Sequence, residues 1–124
     1  MLGILIVDDS LLIRSQLSAW AINSFPGLER LLAESGEEAV TIAHDFRGEI
    51  ALAIVDYNME GINGVETIER LGSVLPRDRA FILSANIQEL ASERIAEMGI
   101  RFLGKPLKQD DFIELVSGMI KEDQ

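Results

Sequence analysis

The chain contains no cysteine, which removes disulfide scaffolds and thiolate metal centres and leaves nothing pointing to an oxidising compartment. Cations are also scarce: 11 Lys and Arg stand against 21 Asp and Glu, a formal net charge of −10 over 124 residues. Surfaces that neutralise nucleic-acid phosphates or anionic lipid headgroups need clustered Lys and Arg, so neither nucleic acid nor a membrane surface is expected as a direct partner. No apolar run approaches the roughly 20 residues that span a bilayer. The opening Met1-Leu2-Gly3-Ile4 has no basic leader and runs straight into acids, so no secretion signal is expected and the expected location is cytoplasmic. What the chain does have is apolar content, 48 % of its residues, enough to bury a core within the single domain expected over 1–124.

Short aliphatic runs alternate with longer amphipathic stretches. The runs are Ile4–Val7, Leu28–Ala33, Ile50–Val55, Ala80–Leu83 and Ile100–Leu103. They are unbroken rather than alternating, the pattern of strands covered on both faces of a parallel sheet. Between them the period becomes helical. The expected apolar stripes are Ile13, Leu17, Trp20 and Ala21; Ala39, Ile42, Ala43 and Phe46; Val65, Ile68 and Leu71; Ala91, Ile95 and Met98; and Phe112, Leu115, Val116, Met119 and Ile120. Ser35-x-x-Glu38, Asn63-x-x-Glu66 and Asn86-x-x-Glu89 read as helix starts, and Gly27, Gly48 and Gly99 as helix stops. Five strand-then-helix units joined by short connections predict a single α/β domain: a doubly wound, five-stranded parallel sheet with right-handed crossovers, flanked by five helices.

In such a sheet, ligands bind beyond the carboxyl ends of the strands, where strand order reverses. The first strand delivers Asp8 and Asp9 there, the third Asp56, the fourth Ser84 and the fifth Lys105. If the first and third strands are neighbours, three carboxylates converge, and the simplest relief of their repulsion is a hard divalent cation with oxygen ligands, Mg²⁺ above all. A cation, a lysine, a hydroxyl and a spare carboxylate are the parts of a phosphoryl-transfer site whose nucleophile is a carboxylate. His44, the single histidine, falls on the polar side of its helix, and Trp20 falls in an apolar stripe; both read as structural.

Taken in order, Val7-Asp8-Asp9-Ser10, Val55-Asp56-Tyr57-Asn58-Met59 with Gly64, Leu83-Ser84-Ala85 and Lys105-Pro106 resemble the motifs of the receiver domains of two-component response regulators, of the CheY-like kind. The resemblance covers essentially the whole chain and implies strand order 2-1-3-4-5. It implies that Asp56 accepts a phosphoryl group from a phosphohistidine on a histidine kinase or phosphotransfer protein. By the same resemblance, Asp8, Asp9 and Asp56, with the backbone carbonyl of Asn58, hold Mg²⁺, for which Mn²⁺ is a substitute. Ser84 and Lys105 are implied to contact the phosphoryl group, and Phe102 to turn inward on activation. The resemblance further implies that Asn58 and Asn86 border the path of attacking water and tune phosphoryl lifetime. The output is partner binding at the face of the fourth helix, fifth strand and fifth helix, without turnover beyond self-phosphorylation and autodephosphorylation. In relatives the Lys-Pro bond is cis, the implied state for Lys105-Pro106.

Three residues depart from the family pattern. Glu60 stands where most members have proline, Lys108 where a helix-capping threonine is usual, and Ser84 is one methyl short of threonine. Two other readings share the same residues: a small Mg²⁺-dependent phosphatase or phosphotransferase of the aspartyl-phosphate type, and a receiver that binds partners without phosphorylation. A histidine phosphotransfer module needs a helical bundle around an exposed His44, and a flavodoxin-like nucleotide or flavin carrier needs a Gly-rich loop after the first strand that this chain lacks.

Overall fold

The computed structural model describes residues 1–86, 88 and 95–122. Its elements in chain order are β1 (Leu2–Val7), α1 (Leu11–Ser24), β2 (Glu29–Ala33), α2 (Gly36–Asp45), β3 (Glu49–Asp56), α3 (Gly64–Leu71), β4 (Ala80–Ser84), β5 (Arg101–Gly104) and a last helix, α4 (Gln109–Glu122). All five strands are parallel, in the order β2-β1-β3-β4-β5. The strand order reverses between β1 and β3, which lie side by side. This is the doubly wound fold expected from the alternation of runs and stripes.

Within each unbroken run the side chains still alternate by the pleat. Leu5 and Val7 of β1, Ala53 and Val55 of β3, and Ile82 of β4 face one layer, packed with Ala39, Ala43, Ile68 and Leu71 of α2 and α3. Ile4 and Ile6, Leu52 and Ile54, and Phe81 and Leu83 face the other layer, with Leu17 and Ala21 of α1 and Phe112, Val116 and Met119 of α4. Two buried faces explain why the strands read as continuous hydrophobic runs rather than alternating ones.

Two helix starts fall where their sequence signals place them. Ser35 Oγ accepts from Glu38 N at 3.1 Å, and Asn63 Oδ1 accepts from Glu66 N at 2.9 Å. The expected fourth helix falls mostly on residues 87 and 89–94, which lie outside the described residues, as does Glu89 of its start signal. Its far end, Ile95–Met98, is a 3₁₀ turn with Ile95 buried. Among the described residues there are four α-helices.

Two of the three expected glycine stops are corrected. α1 ends at Phe25 and α2 at Phe46, and of the three glycines only Gly99 takes a positive φ, at 81°. Gly48 is instead required by crowding, because a Cβ there would lie 2.5 Å from the Met1 carbonyl oxygen and 2.6 Å from the Phe46 ring.

Candidate functional site

Three of the four strands that supply site residues, β1, β3 and β5, continue the ladder by one backbone bond past their ends. Asp8 N donates to Ala33 O at 3.1 Å, Tyr57 N to Leu83 O at 3.0 Å, and Lys105 N to Ser84 O at 2.9 Å. The residues at the rim are therefore held by the sheet rather than by loops. Gly64, the first residue of α3, completes the β3 end: its N–H donates to Tyr57 O at 3.0 Å, and a Cβ there would sit 2.6 Å from the Asp56 carbonyl oxygen.

Asp8 and Asp56 are almost wholly buried, at 1 % and 4 % exposure, and Asp9 is exposed beside them. One carboxylate oxygen from each of the three lies within 4.8 Å of the others. Lys105 Nζ donates to Asp56 Oδ1 at 3.0 Å and stands 3.4 Å from Asp8 Oδ2. The second distance is an ion pair without hydrogen-bond geometry, and Asp8 Oδ2 is the one buried side-chain oxygen among the described residues that accepts no hydrogen bond. Burial, more than any single neighbour, pushes the Asp56 carboxyl above the usual carboxylate range. The repulsion of Asp8 and Asp9 adds to it, and the Lys105 hydrogen bond offsets only part. For Lys105 burial acts downward, but the bond to Asp56 and the attraction of Asp56 and Asp8 outweigh it, so its ammonium is held above the ordinary lysine value.

Three carboxylates facing one ammonium leave net negative charge in a site of which two members are buried, where like charges repel more strongly than they do in bulk water. The donors are all hard oxygens, and one of them is buried and unsatisfied. These residues fit a divalent cation of the Mg²⁺ type.

Of the other predicted residues, Ser84 ends β4 and is buried, but its hydroxyl accepts from Asn86 N at 3.0 Å rather than from Lys105. Asn58 and Asn86 are exposed at the mouth. Phe102, on β5, is 38 % exposed and lies outside both core clusters, so an ordinary core role is excluded. The Lys105-Pro106 bond is cis. Glu60 is exposed and lines an acidic notch with Asp9, Glu34 and Glu37.

Arg14 was not legible as a site residue. Its Nη1 donates to the Asp8 carbonyl oxygen at 2.6 Å. The available signal was a lone cation six residues after Asp8 on an otherwise uncharged helix.

A family model described as the response regulator receiver domain matches residues 4–117.

The chain belongs to this family.

It is 36 % identical over 88 residues to the transcriptional activator protein ExaE of Pseudomonas putida, a stretch covering 70 % of this chain and 40 % of that regulator's length. It is 30 % identical to the receiver domain of the hybrid histidine kinase CckA, with a TM-score of 0.77 over 95 % of this chain and 98 % of that one. A receiver domain protein of Clostridium thermocellum shares the fold at 22 % identity, with a TM-score of 0.82 over 99 % of this chain and 97 % of its own. Receiver domains are in general signalling switches of two-component systems rather than enzymes. They work with histidine kinases or phosphotransfer proteins, and they bind Mg²⁺ through acidic residues such as the cluster found here. Among the described residues no helix is long and apolar enough to cross a membrane. The five-stranded sheet excludes the helical bundle that a histidine phosphotransfer module requires, and His44 is simply exposed on α2.

Proposed function

We propose that residues 1–124 form one receiver domain that acts as a phosphorylation-dependent switch, with Asp56 as the phosphoacceptor. The reading is carried by one observation: a buried carboxylate, hydrogen-bonded to a lysine and flanked by two further carboxylates, at the strand-order reversal of the sheet. Asp8, Asp9 and Asp56, with the Asn58 carbonyl, would hold Mg²⁺ or Mn²⁺. The bound ion supplies positive charge to the phosphoryl oxygens.

An Asp56 carboxylate oxygen forms the bond to phosphorus while the phosphorus–nitrogen bond to a partner's histidine breaks, its electron pair leaving with the imidazole. Lys105 moves its hydrogen bond from the Asp56 carboxylate to a phosphoryl oxygen. The new group adds charge and three acceptor oxygens. These favour a conformer in which the Ser84 hydroxyl leaves the Asn86 amide and turns toward them. The space vacated admits Phe102, now on the surface, and the face made by β5, α4 and the segment between β4 and β5 changes shape for an output partner. Asn58 and Asn86, at the mouth, set how readily water reaches the acyl phosphate. The exposed Leu11 and Leu12, just beyond the acidic pair, give the donor protein an apolar rim to rest on.

The test is incubation with acetyl phosphate and Mg²⁺, read by intact mass. The expected result is a single phosphoryl addition that is lost with a chelator and with Asp56→Asn, and that is labile to base but not to acid. Turnover of many equivalents of a phosphate ester would instead make the chain an aspartyl-phosphate enzyme. No addition at all would leave a binding module that works unphosphorylated.

A further inference from the structure

Helix α1, Leu11–Ser24, carries a single charged residue, Arg14. That side chain is only 14 % exposed, and burying a guanidinium without strong partners is costly. Its one ion-pair partner among the described residues, Glu34, stands 3.8 Å away and is 67 % exposed, a weak, solvent-screened pair. The close contact is a different one: Nη1 on the Asp8 carbonyl oxygen at 2.6 Å, a charge-assisted bond to the backbone of the first residue past β1.

Asp8 is thereby held at three points. Its amide donates to Ala33 O, its carboxylate Oδ1 accepts from Ser10 N at 2.9 Å, and its carbonyl accepts from Arg14. The atom left over is Oδ2, buried, without a hydrogen bond, and facing Lys105. Every other polar group of the residue is committed to fixing where that oxygen points.

We propose that Arg14 is a positioning residue for Asp8: by clamping the carbonyl it fixes the β1–α1 turn, and so holds Oδ2 where a divalent cation needs it. The inference rests on the metal-binding part of the proposed function and adds a residue to it. Two effects of Arg14 on the cation are opposite in sign, which makes the role measurable. Its charge repels a second cation nearby, so losing charge alone tightens Mg²⁺ binding. Its clamp preorganises a ligand, and losing such an outer partner weakens binding by about 10–100-fold.

The experiment is calorimetric titration of the full chain with Mg²⁺ alone, for the wild type, Arg14→Gln and Arg14→Lys, each first shown by its thermal transition in chelator to be folded. Arg14→Gln is expected to weaken Mg²⁺ binding about tenfold, and Arg14→Lys, which keeps a donor and the charge, to recover part of that loss. The Mg²⁺ concentration for half-maximal phosphorylation by acetyl phosphate shifts in the same order. Unchanged or tighter binding in Arg14→Gln overturns the proposal. If that variant does not fold, Arg14→Lys alone decides: weaker binding than wild type supports the clamp, and equal binding overturns it. A wild type that binds Mg²⁺ and takes one phosphoryl group while both variants match it removes only the role of Arg14. A wild type that does neither removes the proposed function as well.

Discussion

Asp56 shows what the site costs the fold. Its carboxyl is buried beside two other acids, and its pKa is raised above the ordinary carboxylate value, by burial first. A group whose folded pKa lies above its unfolded value holds its proton more tightly in the native state, so its contribution to stability is greatest in acid and is lost as pH rises through the folded pKa. Above the folded pKa the ionised Asp56 is therefore destabilising. Asp56→Asn in metal-free buffer is expected to gain about 0.5–2 kcal/mol, because Lys105 retains Asp8 at 3.4 Å. The gain should shrink as pH falls and wild-type Asp56 protonates. Urea unfolding at several pH values checks this, and a gain that grows in acid would contradict the assignment. Phe102 sits at the opposite extreme: with 38 % of its surface exposed, Phe102→Ala should cost under about 1 kcal/mol in the unphosphorylated protein, against about 3–5 for a buried phenylalanine. Asp8, Asp9, Asp56 and Lys105 were legible because each falls within two residues of the end of an apolar run. The set of the Ser84 hydroxyl and the grip of Arg14 were not, since both partners are backbone atoms whose placement depends on the turn and not on residue type.

At the scale of elements, short-range signals were read well where the chemistry is local. Asn63 is the clearest: its side chain caps α3, and its carbonyl accepts from both Thr67 N at 2.9 Å and Thr67 Oγ1 at 2.8 Å. Asn63→Ala removes only the side-chain acceptor and should cost about 1 kcal/mol. Because α3 begins at Gly64, which packs against the Asp56 carbonyl, fraying its first turn loosens the loop that follows Asp56. Asn63→Ala is therefore also expected to weaken Mg²⁺ binding, by at most about fivefold, the factor that a cap energy of about 1 kcal/mol corresponds to. Titration calorimetry beside thermal unfolding separates the two effects. Gly27 and Gly48 were misread for the converse reason. Glycine stops a helix when φ must be positive, but Gly48 is held by what would strike its Cβ, the Phe46 ring two residues back and the Met1 carbonyl far away in sequence.

For the molecule as a whole, periodicity gave the layers while neighbour order came only from resemblance, because nothing in a run of aliphatic residues says which strand lies beside it. That order matters most: it sets β1 against β3 and so gathers three acids from residues 8 to 56 onto one rim of a chain already at −10. General self-repulsion and this local cluster both predict that cations stabilise the fold, but they differ in kind. Screening by monovalent salt acts on every exposed acid and grows smoothly with ionic strength. A site with a dissociation constant adds RT ln(1 + [Mg²⁺]/Kd), about 2.7 kcal/mol at a hundredfold excess over Kd, which for a chain of this size is roughly 10 °C in Tm. Calorimetric melting in Mg²⁺ against NaCl of equal ionic strength should show that excess in the wild type. Asp9→Asn removes an exposed member of the cluster without opening the core, so it should keep the NaCl increment and lose most of the Mg²⁺ excess. If Mg²⁺ and NaCl raise Tm equally in both proteins, the three carboxylates are only part of an acidic surface, and the rim is not a metal centre.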